Sequence, residues 1–198
     1  MGKEGSKEGS GARRRMVAGA ADMIRRRGLA STSVRELAAH AQTPLGSTYH
    51  YFPGGKQQLA AEAVRFAGGY VSATLTRELA AGPVAGLRAF LDLWRATVLD
   101  SDFRAGCPVL AVAVEEQPAQ AESGAVAAAA EVFAEWEALL ARSLVGQGVA
   151  EDRAARLATL VVAAVEGTVA MCRAKRDIRP LDDTAAQLEE LLAAAVGP

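Results

Sequence analysis

The stretch TPLGSTYHYFPGGKQQL, residues 43–59, decides the fold of this chain. It places hydroxyl groups and aromatic rings side by side in a chain otherwise rich in alanine, valine and leucine. Thr43 and Pro44 are a typical helix start, with threonine as the N-cap and proline at the first helical position. The Pro-Gly-Gly of residues 53–55 then ends the helix. The stretch predicts a very short helix at residues 44–50, and a longer one that begins near Lys56.

Two more helices are predicted just upstream. Residues 13–27 place apolar side chains on one helical face, namely Met16, Ala20, Met23 and Ile24. Gly28 follows at the position of a helix C-cap. Residues 33–36 then have the capping-box pattern S-x-x-E, which starts a second, short helix. Two short helices joined by so tight a turn need the first helix as a third wall, so we predict a three-helix helix-turn-helix domain.

The residue types in the second short helix suit a helix that enters the major groove of DNA. Gly46 and Ser47 are small, so the backbone can approach the DNA closely. Hydroxyl and imidazole groups can reach phosphates or base edges, and they are supplied by Thr43, Ser47, Thr48, Tyr49 and His50. Leu45 offers an apolar contact for a thymine methyl group. Lys56, at the start of the next helix, can contact a phosphate as a point charge.

The charge distribution supports a polyanionic partner. Residues 1–56 carry ten basic and four acidic side chains, a net charge of +6, whereas the rest of the chain has a net charge of −7. A basic amino-terminal region on an acidic remainder is typical of proteins that bind nucleic acid. The alternative from charge alone is that the arginine-rich helix faces are merely solvated.

Composition indicates an all-α, cytoplasmic protein. Of the 198 residues, 51% are hydrophobic, and alanine and leucine, which favour helices, are abundant. The two cysteines, Cys107 and Cys172, argue against a disulfide framework and fit a reducing compartment. The polar, Gly- and Ser-rich residues 1–11 lack the apolar segment of a signal peptide. The richest apolar run, residues 157–165, is too short to span a membrane, so no membrane association is expected.

The remaining breaks predict a mostly helical carboxy-terminal region. Helices are expected at residues 56–80, 84–100, 105–116, about 120–146, 151–174 and 182–196. The inner side of the first of these is predicted to consist of Leu59, Ala63, Phe66, Ala67, Tyr70 and Leu75. We therefore expect a flexible tail at residues 1–11, a helix-turn-helix domain at 12–55, and a helical regulatory and dimerisation domain at 56–198.

Three stretches of the chain resemble a known protein family. SVRELAAHAQTPLGSTYHYFPGGKQQLAAEAV, residues 33–64, resembles the DNA-binding signature of TetR/AcrR-family transcriptional regulators. The paired glycines before Lys56 are similar to the LmrA/YxaF-type branch, as are GCPVLAVAVEE at 106–116 and VEGTVAMCRAKRDIRPL at 165–181. Four positions depart from the family pattern, which leaves the operator sequence open: Gln42, Thr43, Leu45 and Thr48.

The resemblance implies a homodimeric, usually repressing regulator that leaves a palindromic operator in double-stranded DNA when a small-molecule inducer binds the carboxy-terminal domain. By position, it assigns DNA contacts to Thr43, Pro44, Leu45, Gly46, Ser47, Tyr49, His50 and Lys56. It also makes Ser33 and Arg35, at the start of the supporting helix, candidates for phosphate contacts.

A ligand-responsive helical domain needs a pocket, and such pockets are mostly apolar with a few polar groups. The candidate ligand-binding residues are Trp94, Phe103, Cys107, Phe133 and Glu166. Aromatic residues at helical spacing are more often simply core, and Glu166 would then be an exposed or interface carboxylate. Small residues on the penultimate helix (Ala163, Gly167, Ala170) and leucines on the last (Leu188, Leu191, Leu192) suit a four-helix dimer interface or packing within one protomer.

The sequence also bears on other classes of function. His40 and His50 lie on separate short helices and do not converge, so no metal site is predicted. Neither histidine is near a cysteine in the chain, so no catalytic pair and no cofactor are expected. The alternatives are a helical enzyme or small-molecule carrier with an incidental basic region, an activator, or a regulator that senses oxidation through Cys107 or Cys172.

Overall fold

The computed structural model describes residues 4–115 and 124–197, with side chains described from residue 10 onward. Within these residues every regular element is a helix, as predicted. The α-helices are α1 (Glu4–Arg27), α2 (Val34–His40), α3 (Leu45–Tyr51), α4 (Gly55–Glu78), α5 (Pro83–Asp100), α6 (Pro108–Ala113), α7 (Gly124–Gly146), α8 (Glu151–Lys175) and α9 (Arg179–Val196). A short 3-10 turn, Leu79–Ala81, connects α4 to α5.

Local signals in the sequence account for most helix ends. Gly28 ends α1 with a φ of 80°, and its amide donates to the carbonyl of Ile24 at 2.9 Å. Pro83 and Pro108 are the first residues of α5 and α6, where the missing amide hydrogen costs nothing. Arg176 ends α8 in the left-handed conformation, with a φ of 50°. These boundaries therefore follow from residues at the helix ends themselves.

Several helix boundaries differ from the prediction or lie beyond the described residues. α1 begins at Glu4, within the segment predicted as a flexible tail, because an existing helix is extended at little cost per residue. α6 covers only Pro108–Ala113, since a proline disfavours the helical conformation at the residue before it. α7 begins at Gly124, so the predicted start at 120 lies outside the described residues.

The described residues form two compact units. One, which we call the headpiece, comprises residues 4–68, 108–115 and 124–130. The other, the body, comprises residues 69–107 and 131–197. The headpiece is larger than the predicted DNA-binding domain of residues 12–55, because it also includes the first part of α4 and the whole of α6.

The headpiece core is built on the predicted face of α1. Met16, Ala20, Met23 and Ile24 are all buried. α1 packs against α2 and α6, and α2 packs against α3. The ring of Phe52, also fully buried, lies beneath the guanidinium group of Arg13, with 5.2 Å between the guanidinium carbon and the ring centroid. Arg13 in turn forms a 2.6 Å ion pair with Glu62 on α4.

The predicted inner side of α4 is only partly correct. Leu59, Ala63 and Leu75 are buried, but Phe66 and Tyr70 are exposed. Ala60, Val64 and Val71 are buried instead. Small and branched residues line the packed side of this helix, and the prediction that its larger aromatic residues lie there is wrong.

In the body, α8 and α9 pack against each other and both pack against α5. Arg88 of α5 binds Glu189 of α9 at 2.7 Å, and Thr168 of α8 lies 3.0 Å from Thr184 of α9 through their hydroxyl groups. α8 is long and apolar enough to span a membrane by length and composition. Half of its most apolar window is buried inside the protein, and core helices of soluble proteins meet the same criterion.

Candidate nucleic-acid interface and effector site

The predicted capping box begins α2. The amide of Glu36 donates to the Ser33 hydroxyl oxygen at 3.2 Å, and the amide of Ser33 donates to the Glu36 carboxylate at 2.9 Å. The Ser33 hydroxyl also donates to that carboxylate at 2.7 Å. These bonds, with the Ser33 hydroxyl first, hold the pKa of Glu36 below its ordinary value. The hydroxyl of Ser33 thus already has a partner, while Arg35 is exposed beside it.

Thr43 and Pro44 differ from the predicted arrangement. Pro44, not Thr43, occupies the N-cap position, and α3 begins at Leu45. Thr43 is buried, and both its amide and its hydroxyl donate to the carbonyl of Ala38, at 2.9 and 3.3 Å. Its side chain therefore closes the turn between α2 and α3 instead of capping the next helix.

α3 has an inward and an outward side. Thr48 is fully buried on the inward side, so the expectation that its hydroxyl reaches DNA is wrong. On the outward side Leu45 is 38% exposed and Tyr49 is 60% exposed, and Gly46 and His50 are exposed as well. Ser47 is half-buried at the edge. The outward surface of α3 thus carries most of the residues predicted to contact DNA.

Lys56 lies in the first turn of α4, directly after Gly55, which has a φ of 65°. The Lys56 ammonium group is 3.4 Å from the carbonyl oxygen of Ala30, in the turn that precedes α2. It is therefore held near the start of α2, where Ser33 and Arg35 were also predicted to contact phosphate.

The basic side chains of α1 are partly neutralised within the headpiece. Asp22 binds Arg25 at 2.6 Å and Arg26 at 3.1 Å, and lies 3.4 Å from His40. Burial alone would raise the pKa of Asp22, but the hydrogen bonds and charges of the two arginines lower it below its ordinary value. His40 thus faces a structural carboxylate, and the described residues hold no group of three or more acidic, histidine or cysteine side chains that could bind a metal ion.

Two of the predicted ligand-binding residues lie in one aromatic cluster of the body. Trp94 of α5 and Phe133 of α7 both contact Trp136 edge to face, with ring centroids 6.5 and 5.6 Å away. Phe90 completes the cluster, 5.6 Å from Trp136. Phe90 and Trp136 are additional to the residues predicted from the sequence, which gives no signal that separates them from Trp94 and Phe133. The indole N–H of Trp94 is buried without a hydrogen-bond partner.

Glu166 and Cys107 form a second buried group in the body. Glu166 is only 3% exposed, which excludes an exposed carboxylate, and its carboxyl group has no hydrogen-bonding neighbour other than the Cys107 thiol. Burial raises the pKa of Glu166 to about 8, an effect that the neighbouring Cys107 thiol partly offsets. Because most of the Glu166 side chains are protonated at neutral pH, α8 carries a buried neutral acid.

Phe103 lies in the segment between α5 and α6. It is half-buried beneath Arg176, with 5.8 Å between the guanidinium carbon and the ring centroid. Asp102 and Phe103 both have left-handed backbones, and Arg176 binds the Asp102 carboxylate at 2.9 Å. The hydrogen bond and charge of Arg176 lower the pKa of Asp102 below its ordinary value. Phe103 therefore belongs to the segment that follows α5, and the ion pair between Arg176 and Asp102 stabilises that segment.

Comparison with protein families identifies the chain. The model of the amino-terminal domain of bacterial regulatory proteins of the TetR family matches residues 17–63. The model of the carboxy-terminal domain of LmrA/YxaF-like transcriptional regulators matches residues 83–187. The chain belongs to the TetR family. It is therefore a DNA-binding transcriptional regulator of the helix-turn-helix type, within the LmrA/YxaF-like group, as the sequence signature predicted.

Relatives of this TetR-family regulator match along nearly its whole length. An uncharacterized HTH-type transcriptional regulator of Mycobacterium tuberculosis strain H37Rv is 43% identical over 187 residues, which covers 93% of this chain and 95% of the relative. The HTH-type transcriptional regulator LmrA of Bacillus subtilis is 27% identical over 186 residues, covering 91% of this chain and 96% of LmrA.

Solved structures agree with the fold. A TetR transcriptional regulator from Chloroflexus aurantiacus has a TM-score of 0.74 at 26% identity, covering 94% of this chain and 96% of the other. The regulatory protein TetR from Rhodobacter sphaeroides has a TM-score of 0.78 at 22% identity, covering 90% of this chain and 97% of the other. The predicted helix-turn-helix architecture is confirmed.

Proposed function

We propose that this TetR-family regulator is a cytoplasmic, homodimeric repressor that leaves a palindromic operator when a small molecule binds its body. The observation that carries the proposal is the outward surface of α3, where Tyr49 and His50 are exposed within a basic helix-turn-helix headpiece. Groups of this kind contact phosphates and base edges when a helix lies in the major groove.

The DNA-contacting set that we propose is narrower than the set predicted from the sequence. It contains the exposed or partly exposed residues on or next to α2, α3 and the start of α4: Ser33, Arg35, Pro44, Leu45, Gly46, Ser47, Tyr49, His50 and Lys56. Thr43 is left out because its hydroxyl already bonds the Ala38 carbonyl and its side chain is buried.

Two buried polar groups that are poorly hydrogen-bonded support a ligand site in the body. A buried donor or acceptor that lacks a hydrogen bond carries a desolvation cost of about 1–3 kcal/mol, which a bound molecule can relieve. The Trp94 indole N–H is such a group, and the buried Glu166 carboxyl has only the Cys107 thiol beside it. We propose that Trp94, Cys107, Phe133 and Glu166 contact the effector, and that Phe103 does not.

An apolar surface on α8 supports the homodimer. Leu160 and Met171 are exposed, and the small residues between them, Ala163, Gly167 and Ala170, are exposed on the same side. A carbon added at Gly167 would meet nothing within 4 Å, so this side of α8 is open to a second helix. On α9, in contrast, Leu188 and Leu192 are buried within the protomer. We therefore propose that the small-residue side of α8 forms the dimer contact, as expected for close helix packing across a two-fold axis.

The proposed regulation is a shift between two dimer states. Two recognition helices bind successive major grooves only when they are about 34 Å apart and suitably rotated. An effector releases the operator if it binds more tightly to the state in which that spacing or rotation is lost.

Binding to the DNA beside the protein's own gene tests the proposal. We expect a footprint on a palindrome whose affinity falls with salt. Lys56→Ala is expected to reduce the slope of log binding constant against log salt concentration by about one. Tyr49→Ala is expected to weaken binding by about tenfold. Lys175→Ala and Tyr70→Ala remove an exposed lysine and an exposed tyrosine elsewhere, and serve as matched controls. Absence of sequence-specific binding, or equal effects of the controls, would contradict the proposal.

A further inference from the structure

The outward side of α3 begins with a leucine. Leu45 is the first residue of the helix, and Tyr49 lies one turn later on the same side. The inward side is filled by Thr48 and by Phe52, which directly follows the helix, and both are fully buried. Leu45 itself is 38% exposed, and this part of its side chain is available for contact outside the headpiece.

The sequence of α3, LGSTYHY, restricts how this helix can read DNA bases. The strongest direct contacts in the major groove are those of arginine or lysine with guanine and of asparagine or glutamine with adenine. None of these four residue types occurs in α3. What an aliphatic side chain can read directly is the 5-methyl group of thymine.

Resting on the proposed DNA-binding function, we propose that Leu45 is a specificity-determining residue that contacts a thymine methyl group in each operator half-site. Single exposed leucines are common on protein surfaces and by themselves indicate nothing. This leucine differs in its position on a helix that offers no bidentate base contact. Gly46, beside it, leaves the backbone uncovered, since a carbon added there would meet nothing within 4 Å. A base edge can therefore approach the Leu45 side chain without obstruction from its neighbour.

Uracil substitution tests the contact without changing any hydrogen-bonding group of the DNA. The wild-type protein is first used to select binding sites from random duplexes, and each thymine of the selected site is then replaced by uracil, which lacks only the methyl group. Loss of one buried carbon corresponds to about a fourfold loss of affinity. We expect this loss at one thymine of each half-site and about a 15-fold loss when both are replaced. Uracil outside the selected half-sites serves as the DNA control.

Protein variants assign the effect to Leu45. Leu45→Ala is expected to bind the thymine operator about as weakly as the wild type binds the uracil operator, and to be indifferent to uracil. Leu45→Met, which keeps an apolar side chain, should retain the sensitivity. Leu99→Ala removes a leucine that is 45% exposed at the end of α5, so it should match the wild type in both respects.

The outcomes separate this inference from the function on which it rests. If no sequence is selected, both are overturned. If a site is selected but has no uracil-sensitive thymine, the reading by Leu45 is overturned and the DNA-binding regulator stands. If uracil sensitivity persists in Leu45→Ala while that variant is folded by circular dichroism, another residue makes the contact. Sensitivity that is lost in Leu45→Ala and kept in Leu45→Met supports the inference.

Discussion

The carboxylate of Glu115 accepts a hydrogen bond of 2.6 Å from the backbone amide of Leu29, which lies 86 residues earlier in the chain. Its second oxygen accepts a bond of 2.8 Å from the amide of Ala30. Both residues lie in the turn between α1 and α2, within the headpiece. Glu115, just beyond α6, thus holds the turn that positions the helix-turn-helix.

Glu115→Ala is expected to destabilise the protein by about 1–3 kcal/mol, because two backbone amides lose a charged acceptor. The amide hydrogens of Leu29 and Ala30 should exchange faster with solvent. Urea unfolding and native-state hydrogen exchange measure the two effects. Glu135→Ala, at an exposed position of α7, is the control and should leave both unchanged. Unaltered exchange at Leu29 and Ala30 in Glu115→Ala would contradict the role of Glu115.

Gly28→Ala should cost more than the usual strain of a left-handed residue. Gly28 has a φ of 80°, which costs about 1–2 kcal/mol for a residue with a side chain. A Cβ atom there would also lie 2.2 Å from a Glu115 carboxylate oxygen, so the carboxylate must move and lose its bonds. We expect a loss of about 2–4 kcal/mol in the wild-type background. When Gly28→Ala is made in a protein that already carries Glu115→Ala, its cost should fall to that of the backbone strain alone. If the costs of the two substitutions simply add, the close approach of the introduced Cβ atom to the Glu115 carboxylate is contradicted.

Gln42→Gly is expected to stabilise the protein by about 1 kcal/mol. Gln42 has a φ of 52° in the turn between α2 and α3. Glycine adopts this conformation without steric cost. Thermal or urea unfolding measures the gain. Ala39→Gly, at an exposed position within α2, should destabilise by about 1 kcal/mol and shows that the gain is specific to the turn.

Glu166 predicts a pH dependence of stability. Its pKa is about 8 in the folded protein and 4.5 as its ordinary value. Between these values the folded state binds more protons than the unfolded state, so the free energy of unfolding should fall as pH rises from about 5 to 8. Because the side chain of Glu166→Gln stays neutral, the free energy of unfolding of this variant at pH 7, relative to acidic pH, should fall by about 3 kcal/mol less than that of the wild type. Unfolding in urea at pH 5, 6, 7 and 8 measures it, with Glu135→Gln as an exposed control. A wild-type profile no steeper than that of Glu166→Gln would contradict the prediction.

The sequence predicted those features that depend on residues close together in the chain, namely helix ends and the apolar faces of helices. The capping box of Ser33 and Glu36, the end of α1 at Gly28 and the start of α5 beside Pro83 depend on hydrogen bonds and backbone angles within a few residues. The apolar face of α1 was predictable for the same reason, because helical periodicity places its members together before any packing occurs. The helix-turn-helix and the family followed from these local patterns.

The tertiary structure determined which polar groups form hydrogen bonds with distant segments and which face of a helix is buried. Phe66 and Tyr70 share the periodicity of the buried residues of α4, yet the packing of other helices leaves them exposed. Glu115 accepts hydrogen bonds from amides that lie more than 80 residues earlier in the chain, and Glu166 is buried with only the Cys107 thiol as a polar neighbour. Helical periodicity and capping depend on residues within one helix. Burial and long-range hydrogen bonding depend on which distant segment packs against that helix, and a short stretch of sequence does not specify this segment.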